Sequence, residues 1–291
     1  MHTETQNQKT LNIDTLPTAE IVQIINDEDK TVAAAVEKTL PAIAEAIDAI
    51  VEGLRAGGRL IYVGAGTSGR LGVLDAVECV PTYSTPPELV QGLIAGGEQA
   101  LTRSVEGAED KPELAKSDLQ NMSFSQADIL VGIAASGRTP YVLGALEYAR
   151  DLGAKTIAIS CNVPAPILDA ADIGIDVAVG AEVVTGSTRM KAGTAQKMIL
   201  NMLSTGSMIR LGKVYGNLMV DVQVTNAKLA DRANRIVQQI ANVDEETAQS
   251  LLESAHNHVK TALVMHIKQV DYETALQLLH DNDGYLRQVI G

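Results

Sequence analysis

Hydrophobic positions divide the chain into a helical start, an alternating middle and a helical end. Residues 17–56 carry apolar side chains at helical spacing, and Pro41 is expected to kink or divide this helical segment. Five short apolar runs then predict buried strands, at 59–64, 89–95, 129–134, 156–160 and 173–177. Helices are predicted between and after these strands, at 69–79, 112–121, 140–152 and 187–211. Because strands alternate with helices, the pattern predicts an open parallel α/β sheet covered on both faces.

Beyond Val220 the pattern is helical only. Three apolar stripes follow one another, and Asp244 and Asp271 stand where helix N-caps are expected. We therefore expect three parts: an N-terminal helical segment at 1–56, an α/β domain at 57–220, and a C-terminal helical region at 221–291 that contains a small bundle.

Charge and composition exclude several classes of function. With 23 Lys and Arg against 36 Asp and Glu, the net charge is −13, so we expect neither a nucleic-acid partner nor an anionic membrane surface. Aromatic residues make up only 3 %, which leaves little for base stacking. The polar first 20 residues lack the apolar core of a signal peptide, and no run reaches the roughly 18 apolar residues of a membrane span. A cytoplasmic location is expected.

The cysteines and histidines give no sign of a metal site. Cys79 and Cys161 form no C-x-x-C motif and suit a reducing compartment as buried thiols. None of the five histidines lies in H-E-x-x-H, and His256 and His258, two residues apart, would point to different sides of a helix. We therefore expect no metal site.

Three turns rich in glycine and hydroxyl residues carry the clearest chemistry. The first, GAGTSGR at 64–70, follows a predicted strand and opens a helix; the second, AASGRTP at 134–140, does the same; the third, TGSTRMK at 185–191, heads the longest predicted helix. Free amides at a helix N-terminus beside hydroxyl groups suit a phosphate ester. The candidate phosphate and substrate residues are Gly66, Thr67, Ser68, Gly69, Ser136, Gly137, Arg138, Thr139 and Ser187.

Other interpretations of these turns stay open at this point. Any one of them could be an ordinary turn with an N-cap. The first also fits the G-x-G-x-x-G pattern of dinucleotide-binding sites. Such a site has an acidic residue about 20 positions after the glycines, whereas Glu98, the first acidic residue after the next strand, lies about 30 positions after them. Two turns that share Ser, Gly and Arg favour a small phosphorylated ligand.

Four strings in order resemble the N-acetylmuramic acid 6-phosphate etherase family. They are LIYVGAGTSGRLGVLDAVECVPT, then IAGGEQAL with VEGAED, then VGIAASGRTPYV, and finally GAEVVTGSTRMKAGTAQK, within a match from about 24 to 225. The resemblance implies a sugar isomerase (SIS) domain, which is a flavodoxin-like α/β sandwich, and a relation to glucokinase regulatory protein. It also implies cleavage of the D-lactyl ether of N-acetylmuramic acid 6-phosphate, giving N-acetylglucosamine 6-phosphate and D-lactate. Val80 departs from the family pattern, where a second proline is common, without removing a functional group.

The resemblance assigns catalytic roles to two glutamates. It implies Glu78 as the acid that protonates departing lactate and Glu109 as the candidate base at C2 of the ring-opened sugar, and Glu182 as a candidate sugar-binding or ring-opening residue. Two carboxyl groups in opposite protonation states would suffice for elimination across C2 and C3, so the implied reaction needs neither a metal nor an organic cofactor. On the residues alone, Glu78 could be a surface carboxylate near a helix end, and Glu109, beside Glu106 and Asp110, part of a solvated acidic face.

Two other functions share the phosphate turns. A SIS-type sugar-phosphate isomerase would be supported by a histidine near the core, yet every histidine lies outside 57–220. A non-catalytic sugar-phosphate sensor is the third possibility. Because SIS domains commonly pair through helices beside the sheet, we also expect a homodimer.

Overall fold

The computed structural model describes residues 2–291. Two short 3-10 helices, His2–Glu4 and Ile13–Thr15, precede the first long helix. The strands are β1 (Leu60–Gly64), β2 (Val90–Ile94), β3 (Ile129–Ala134), β4 (Lys155–Ser160) and β5 (Ile173–Asp176). The helices are α1 (Thr18–Glu37), α2 (Leu40–Arg55), α3 (Gly66–Tyr83), α4 (Gln99–Thr102), α5 (Pro112–Asn121), α6 (Pro140–Asp151), α7 (Pro166–Asp169), α8 (Lys191–Arg210), α9 (Ala227–Ala241), α10 (Glu245–Ser254), α11 (Val259–Lys268), α12 (Tyr272–Asp281) and α13 (Leu286–Ile290).

The five predicted strands form one parallel sheet in the order β2-β1-β3-β4-β5. Every residue of β1 and β3 is buried, as expected for central strands covered by helices on both faces. From β1 the chain passes to β2 on one side, and β3 lies on the other. The carboxyl ends of β1 and β3 therefore meet where the strand order reverses, which is the usual ligand site of such sheets.

Several element boundaries differ from the sequence-based prediction. Pro41 divides the N-terminal helical segment as predicted, because it lies in the first turn of α2, where its missing amide costs nothing. Helix α3 begins at Gly66, in the glycine turn itself, and continues through Pro81. Helix α8 begins only at Lys191, so Ser187 lies in the preceding turn.

The residues before α1 are ordered against the α/β unit, although the sequence showed only a polar opening. Asn162 donates from Nδ2 to Thr3 Oγ1 (2.9 Å) and to the Ala135 carbonyl (2.8 Å). Thr10 donates its hydroxyl to the Val183 carbonyl at 2.8 Å. These contacts attach the N-terminal segment to the loop after β4 and to the residues just before the third turn.

The chain forms two compact units. The first contains the residues up to Ala76 together with Glu88–Ser204, and it holds the whole sheet; the second contains Val77–Pro87 and Thr205–Gly291. The second unit has its own apolar core, built from α9 to α13. Asp244 and Asp271 cap α10 and α12, accepting from the amides of Thr247 and Thr274 at 2.8 Å each, which confirms both predicted N-caps. The domain boundaries at 56/57 and 220/221 stay predictions.

Candidate functional site

The first turn lies at the carboxyl end of β1 and opens α3. Gly64 and Gly69 allow strand and helix to approach closely: a Cβ on Gly64 would lie 2.7 Å from the Gly69 amide nitrogen, and one on Gly69 would lie 2.8 Å from the Gly64 carbonyl oxygen. Gly66 has φ +55°, a left-handed conformation that glycine adopts without strain. The turn therefore forms the N-terminus of α3, where the first amides have no carbonyl partner within the helix.

Two residues of this turn contact α8. Ser68 is buried and donates its hydroxyl to Oε1 of Gln196, which is also buried, at 2.9 Å. Thr67 lies beside Gly193, whose added Cβ would be 3.4 Å from Thr67 Cγ2. The structure thus brings the first turn and the first two turns of α8 together. Within the described residues Gln196 Nε2 has no hydrogen-bond partner, so this buried pair holds an unused donor.

The second turn follows β3 and leads into α6. Gly137 has φ +71°, and a Cβ there would lie 2.3 Å from the Ala165 Cβ, so only glycine fits. Ser136 is half-buried and its Oγ accepts from the Arg138 amide at 3.3 Å, while Arg138 itself is exposed. Thr139 is the N-cap residue of α6 and makes no side-chain capping bond. The hydroxyl groups of Ser136 and Thr139 therefore stand at a second helix start beside the first turn.

Glu182 caps the helix that follows the third turn. This carboxylate is fully buried and accepts from the amides of Lys191 and Ala192 at 2.9 Å each, which are the first two amides of α8. The structure thus gives Glu182 a helix-capping contact. Its role in sugar binding stays a prediction. Ser187 is half-buried in the turn between Glu182 and α8.

A buried ion-pair cluster, which the sequence analysis missed, lies at the start of α8. Glu28 of α1 accepts from Lys191 Nζ at 2.7 Å, from Lys9 Nζ at 2.8 Å and from Asn7 Nδ2 at 2.9 Å. Burial raises the pKa of Glu28, but the hydrogen bonds from Lys191, Lys9 and Asn7 outweigh it and bring the pKa to about 2. The available signal was spacing, since Glu28 shares one helical face with the buried Val32 and Val36.

A second buried carboxylate joins α3 to α8. Asp75 accepts from the Tyr62 hydroxyl at 3.0 Å, from Asn201 Nδ2 at 2.7 Å and from the Ser204 hydroxyl at 3.1 Å. Burial raises the pKa of Asp75, and these three donors act against that rise. The helix that starts in the first turn is thereby fixed against the helix that follows the third.

A cavity of about 240 Å³ opens beside the first turn, within the first compact unit. Its lining residues are Ala65, Gly66, Arg70, Ala95, Ala100, Arg103, Ser104, Val105, Glu106, Gly107 and Glu109. Glu109 is exposed, and its backbone carbonyl accepts from the Tyr141 amide at 3.0 Å, in the first turn of α6. Glu109, one of the two predicted catalytic carboxylates, therefore lies in a cavity beside the first turn, and its backbone contacts the start of α6.

Glu78 is exposed on α3, twelve residues beyond the start of that helix at Gly66. It falls in the second compact unit, whereas the cavity is formed by the first.

Within residues 2–291, no group of three or more His, Cys, Asp or Glu side chains is placed to hold a metal ion. No helix of that range is long and apolar enough to cross a membrane.

Comparison with protein families defines the class of protein. Residues 42–150 match the glucokinase regulatory protein N-terminal SIS domain, and residues 102–206 match the SIS domain in general. Residues 216–283 match the C-terminal lid domain of glucokinase regulatory protein. The parallel sheet and its three turns are thus those of a SIS-domain protein with a helical C-terminal region.

Closely similar proteins narrow this class to one family. An N-acetylmuramic acid 6-phosphate etherase of Photobacterium profundum is 58 % identical over 99 % of this chain and 96 % of its own length. Another of that name from a Geobacillus species is 54 % identical over 99 % of this chain and 98 % of its own. The chain belongs to the N-acetylmuramic acid 6-phosphate etherase family, which confirms the resemblance found in its motifs.

Solved structures agree with the predicted fold class. A phosphoheptose isomerase from Francisella tularensis aligns with a TM-score of 0.51 and 19 % identity, covering 67 % of this chain and all (100 %) of that one. A phosphoheptose isomerase from Neisseria gonorrhoeae aligns with a TM-score of 0.50 and 15 % identity, covering 66 % of this chain and 99 % of that one. These likenesses confirm the SIS-type α/β fold.

Proposed function

We propose that this protein cleaves the D-lactyl ether of N-acetylmuramic acid 6-phosphate with water, giving N-acetylglucosamine 6-phosphate and D-lactate. Nearly full-length relatives of that name support the substrate and the reaction. The observation that carries the proposal within the molecule is the cavity that brings Glu109 beside the turn after β1. It joins a carboxylate able to move a proton to a helix start able to hold a phosphate.

The phosphate is bound by the helix starts after β1 and β3. The amides around Gly66, which open α3, and the hydroxyls of Ser136 and Thr139 before α6 are suited to accept a dianion at adjacent strand ends. Ser68 can join them if its hydroxyl turns from Gln196 to the phosphate. These contacts anchor the sugar and leave its C2 and C3 for the carboxylates.

The reaction is an elimination followed by hydration. In the ring-opened sugar the C2 proton is acidic because it lies next to the C1 aldehyde, and Glu109 removes it. The C3–O bond then breaks, and Glu78 protonates the departing ether oxygen to give D-lactate. Water adds to the unsaturated aldehyde at C3, and a proton returns to C2, so the net change is consumption of one water. No step in this sequence calls for a metal or an organic cofactor.

The test combines product analysis with isotopes. The wild-type protein should release D-lactate from N-acetylmuramic acid 6-phosphate, place deuterium at C2 in deuterated water, and place labelled water oxygen at C3. Glu109→Gln should lose both C2 exchange and lactate release, since the base acts first, by a factor of about 10² to 10⁴. Glu78→Gln should block lactate release but can retain C2 exchange.

Two control variants test whether the base at C2 is Glu109 and not another glutamate nearby. Glu106→Gln removes the other glutamate of the cavity, and Glu113→Gln removes an exposed glutamate in the first turn of α5. Both should keep most of the activity. If Glu106→Gln stops C2 exchange while Glu109→Gln does not, the base is Glu106. If neither Glu78→Gln nor Glu109→Gln slows lactate release, the two-carboxylate mechanism is wrong.

Assembly and location belong to the same proposal. We expect a homodimer that pairs through a helix beside the sheet, and the exposed Leu74 and Val77, 54 % and 61 % accessible on α3, support such a surface. A mass near 31 kDa by light scattering at micromolar concentration would contradict it, because the single chain is 30.8 kDa. A cytoplasmic location is supported by Cys79 and Cys161, which are buried and not joined in a disulfide.

A further inference from the structure

Two arginines line the cavity beside the first turn, and within the part of the chain that the structure describes only one of them has its side chain held by hydrogen bonds. Arg70 is fixed, since Nε donates to the Leu101 carbonyl at 3.1 Å and Nη2 to the Arg103 carbonyl at 3.3 Å. Arg103 is exposed, and within residues 2–291 its side chain makes no hydrogen bond or ion pair. Although the chain has a net charge of −13, these two neighbouring guanidinium groups form a local positive site that can bind an anion.

The substrate of the proposed function carries two anions, and this inference rests on that function. One is the phosphate at C6 and the other is the carboxylate of the lactyl group at C3. The hydroxyl-bearing side chains assigned to phosphate, on Thr67, Ser68, Ser136 and Thr139, do not line the cavity, whereas Glu109 does. Since C2 and C3 are neighbouring carbons, a sugar placed with C2 at Glu109 brings its lactyl group to the same cavity.

We propose that Arg103, supported by Arg70, binds the lactyl carboxylate and so selects muramic over other amino-sugar phosphates. The planar fork of a guanidinium matches a carboxylate with two parallel hydrogen bonds. Arg70 has Nη1 left for the same group, because Nε and Nη2 are held by backbone carbonyls. The two cations also offset Glu106 and Glu109, whose charges in the same wall would otherwise repel the lactyl group.

The test separates the two anions of the substrate. Arg103→Met should lower kcat/KM for N-acetylmuramic acid 6-phosphate by about tenfold or more, the size expected when a charged hydrogen bond is lost. The inhibition constant of N-acetylglucosamine 6-phosphate, which keeps the phosphate and lacks the lactyl group, should change by less than about twofold under the same reasoning. Arg103→Lys should recover part of the loss, since it restores the charge without the fork.

Arg150→Met is the matched control. Arg150 is an exposed arginine that lines a groove at the amino ends of β3 and β4, and its replacement should leave both constants unchanged. If Arg103→Met weakens both sugars equally, the cavity binds the phosphate and the inference is overturned. An unchanged kcat/KM overturns it too. A wild-type protein that releases no lactate would instead count against the proposed function itself.

Discussion

The ion pair between Glu28 and Lys191 should make folding stability depend on acid. Both side chains are almost fully buried, with the two residues 5 % and 3 % exposed, and their charged atoms are 2.7 Å apart. The pKa of Glu28 is about 2 in the folded protein against an ordinary value of 4.5, a difference worth about 3 kcal/mol. Because the folded pKa is lowered, this stabilisation is fully present above pH 4.5 and is lost as the pH falls towards 2.

Glu28→Gln tests this magnitude. At pH 7 the variant should lose about 3 kcal/mol or more of unfolding free energy, since it leaves Lys191 buried without an opposite charge. The difference between wild type and variant should shrink by about 2 kcal/mol between pH 7 and pH 3, as Glu28 becomes protonated in the unfolded chain. Urea unfolding followed by far-UV circular dichroism measures it, because the chain has no tryptophan.

The double variant Glu28→Gln/Lys191→Met supplies the control. Removing both charges should cost less than the sum of the single changes, because no unpaired buried charge remains. A difference between wild type and Glu28→Gln that is the same at pH 7 and pH 3 would refute the reasoning, as would a double variant that shows simple additivity.

Three further outcomes follow from single positions. Gly137→Ala should lower stability by about 2 kcal/mol or more, measured by thermal unfolding, because φ is +71° and the new Cβ would lie 2.3 Å from the Ala165 Cβ; an unchanged melting temperature would contradict this. Asp244→Ala should cost about 1 kcal/mol through loss of the cap on the Thr247 amide, with Asp244→Asn as the control that keeps it. The Cys161 thiol should resist alkylation at pH 8 in the folded protein, since burial raises its pKa, whereas rapid labelling without unfolding would show access that the structure denies it.

Periodicity predicted the layers of the fold because each layer leaves a local pattern. The apolar runs of β1 and β3 and the stripes of α9 to α11 all lie where the spacing placed them. The start of α3 was predicted late, at 69 instead of Gly66, because glycines lower helix propensity while the N-terminus of this helix needs their backbone freedom. The start of α8 was predicted early, at 187 instead of Lys191. The sequence of the turn does not show where the helix begins, because the cap comes from Glu182, which accepts from the Lys191 amide nine residues further along.

Contacts across long stretches of sequence leave no comparable pattern. Ser68 was singled out for phosphate by its place in the first turn, but its hydroxyl bond to Gln196 joins residues 128 positions apart. The ion pair of Glu28 and Lys191 joins residues 163 positions apart, and no sequence motif contains both of them. Such pairs follow from the order of strands and helices, which sequence spacing gives only in outline.

The buried polar contacts share one consequence for the site. Glu182 and Glu28 fix the first turn of α8, the former through backbone amides and the latter through Lys191. Gln196 and Asp75 attach that helix to α3, whose N-terminus is the first glycine-rich turn. The proposed binding of a phosphate dianion by the amides of this turn gains from the turn being held in place, because the ordering cost is then met by folding and not by binding. Of the charged residues that line the cavity, Arg103, Glu106 and Glu109 are exposed, so in the site we propose the fixed turn holds the phosphate and the accessible side chains act on the sugar.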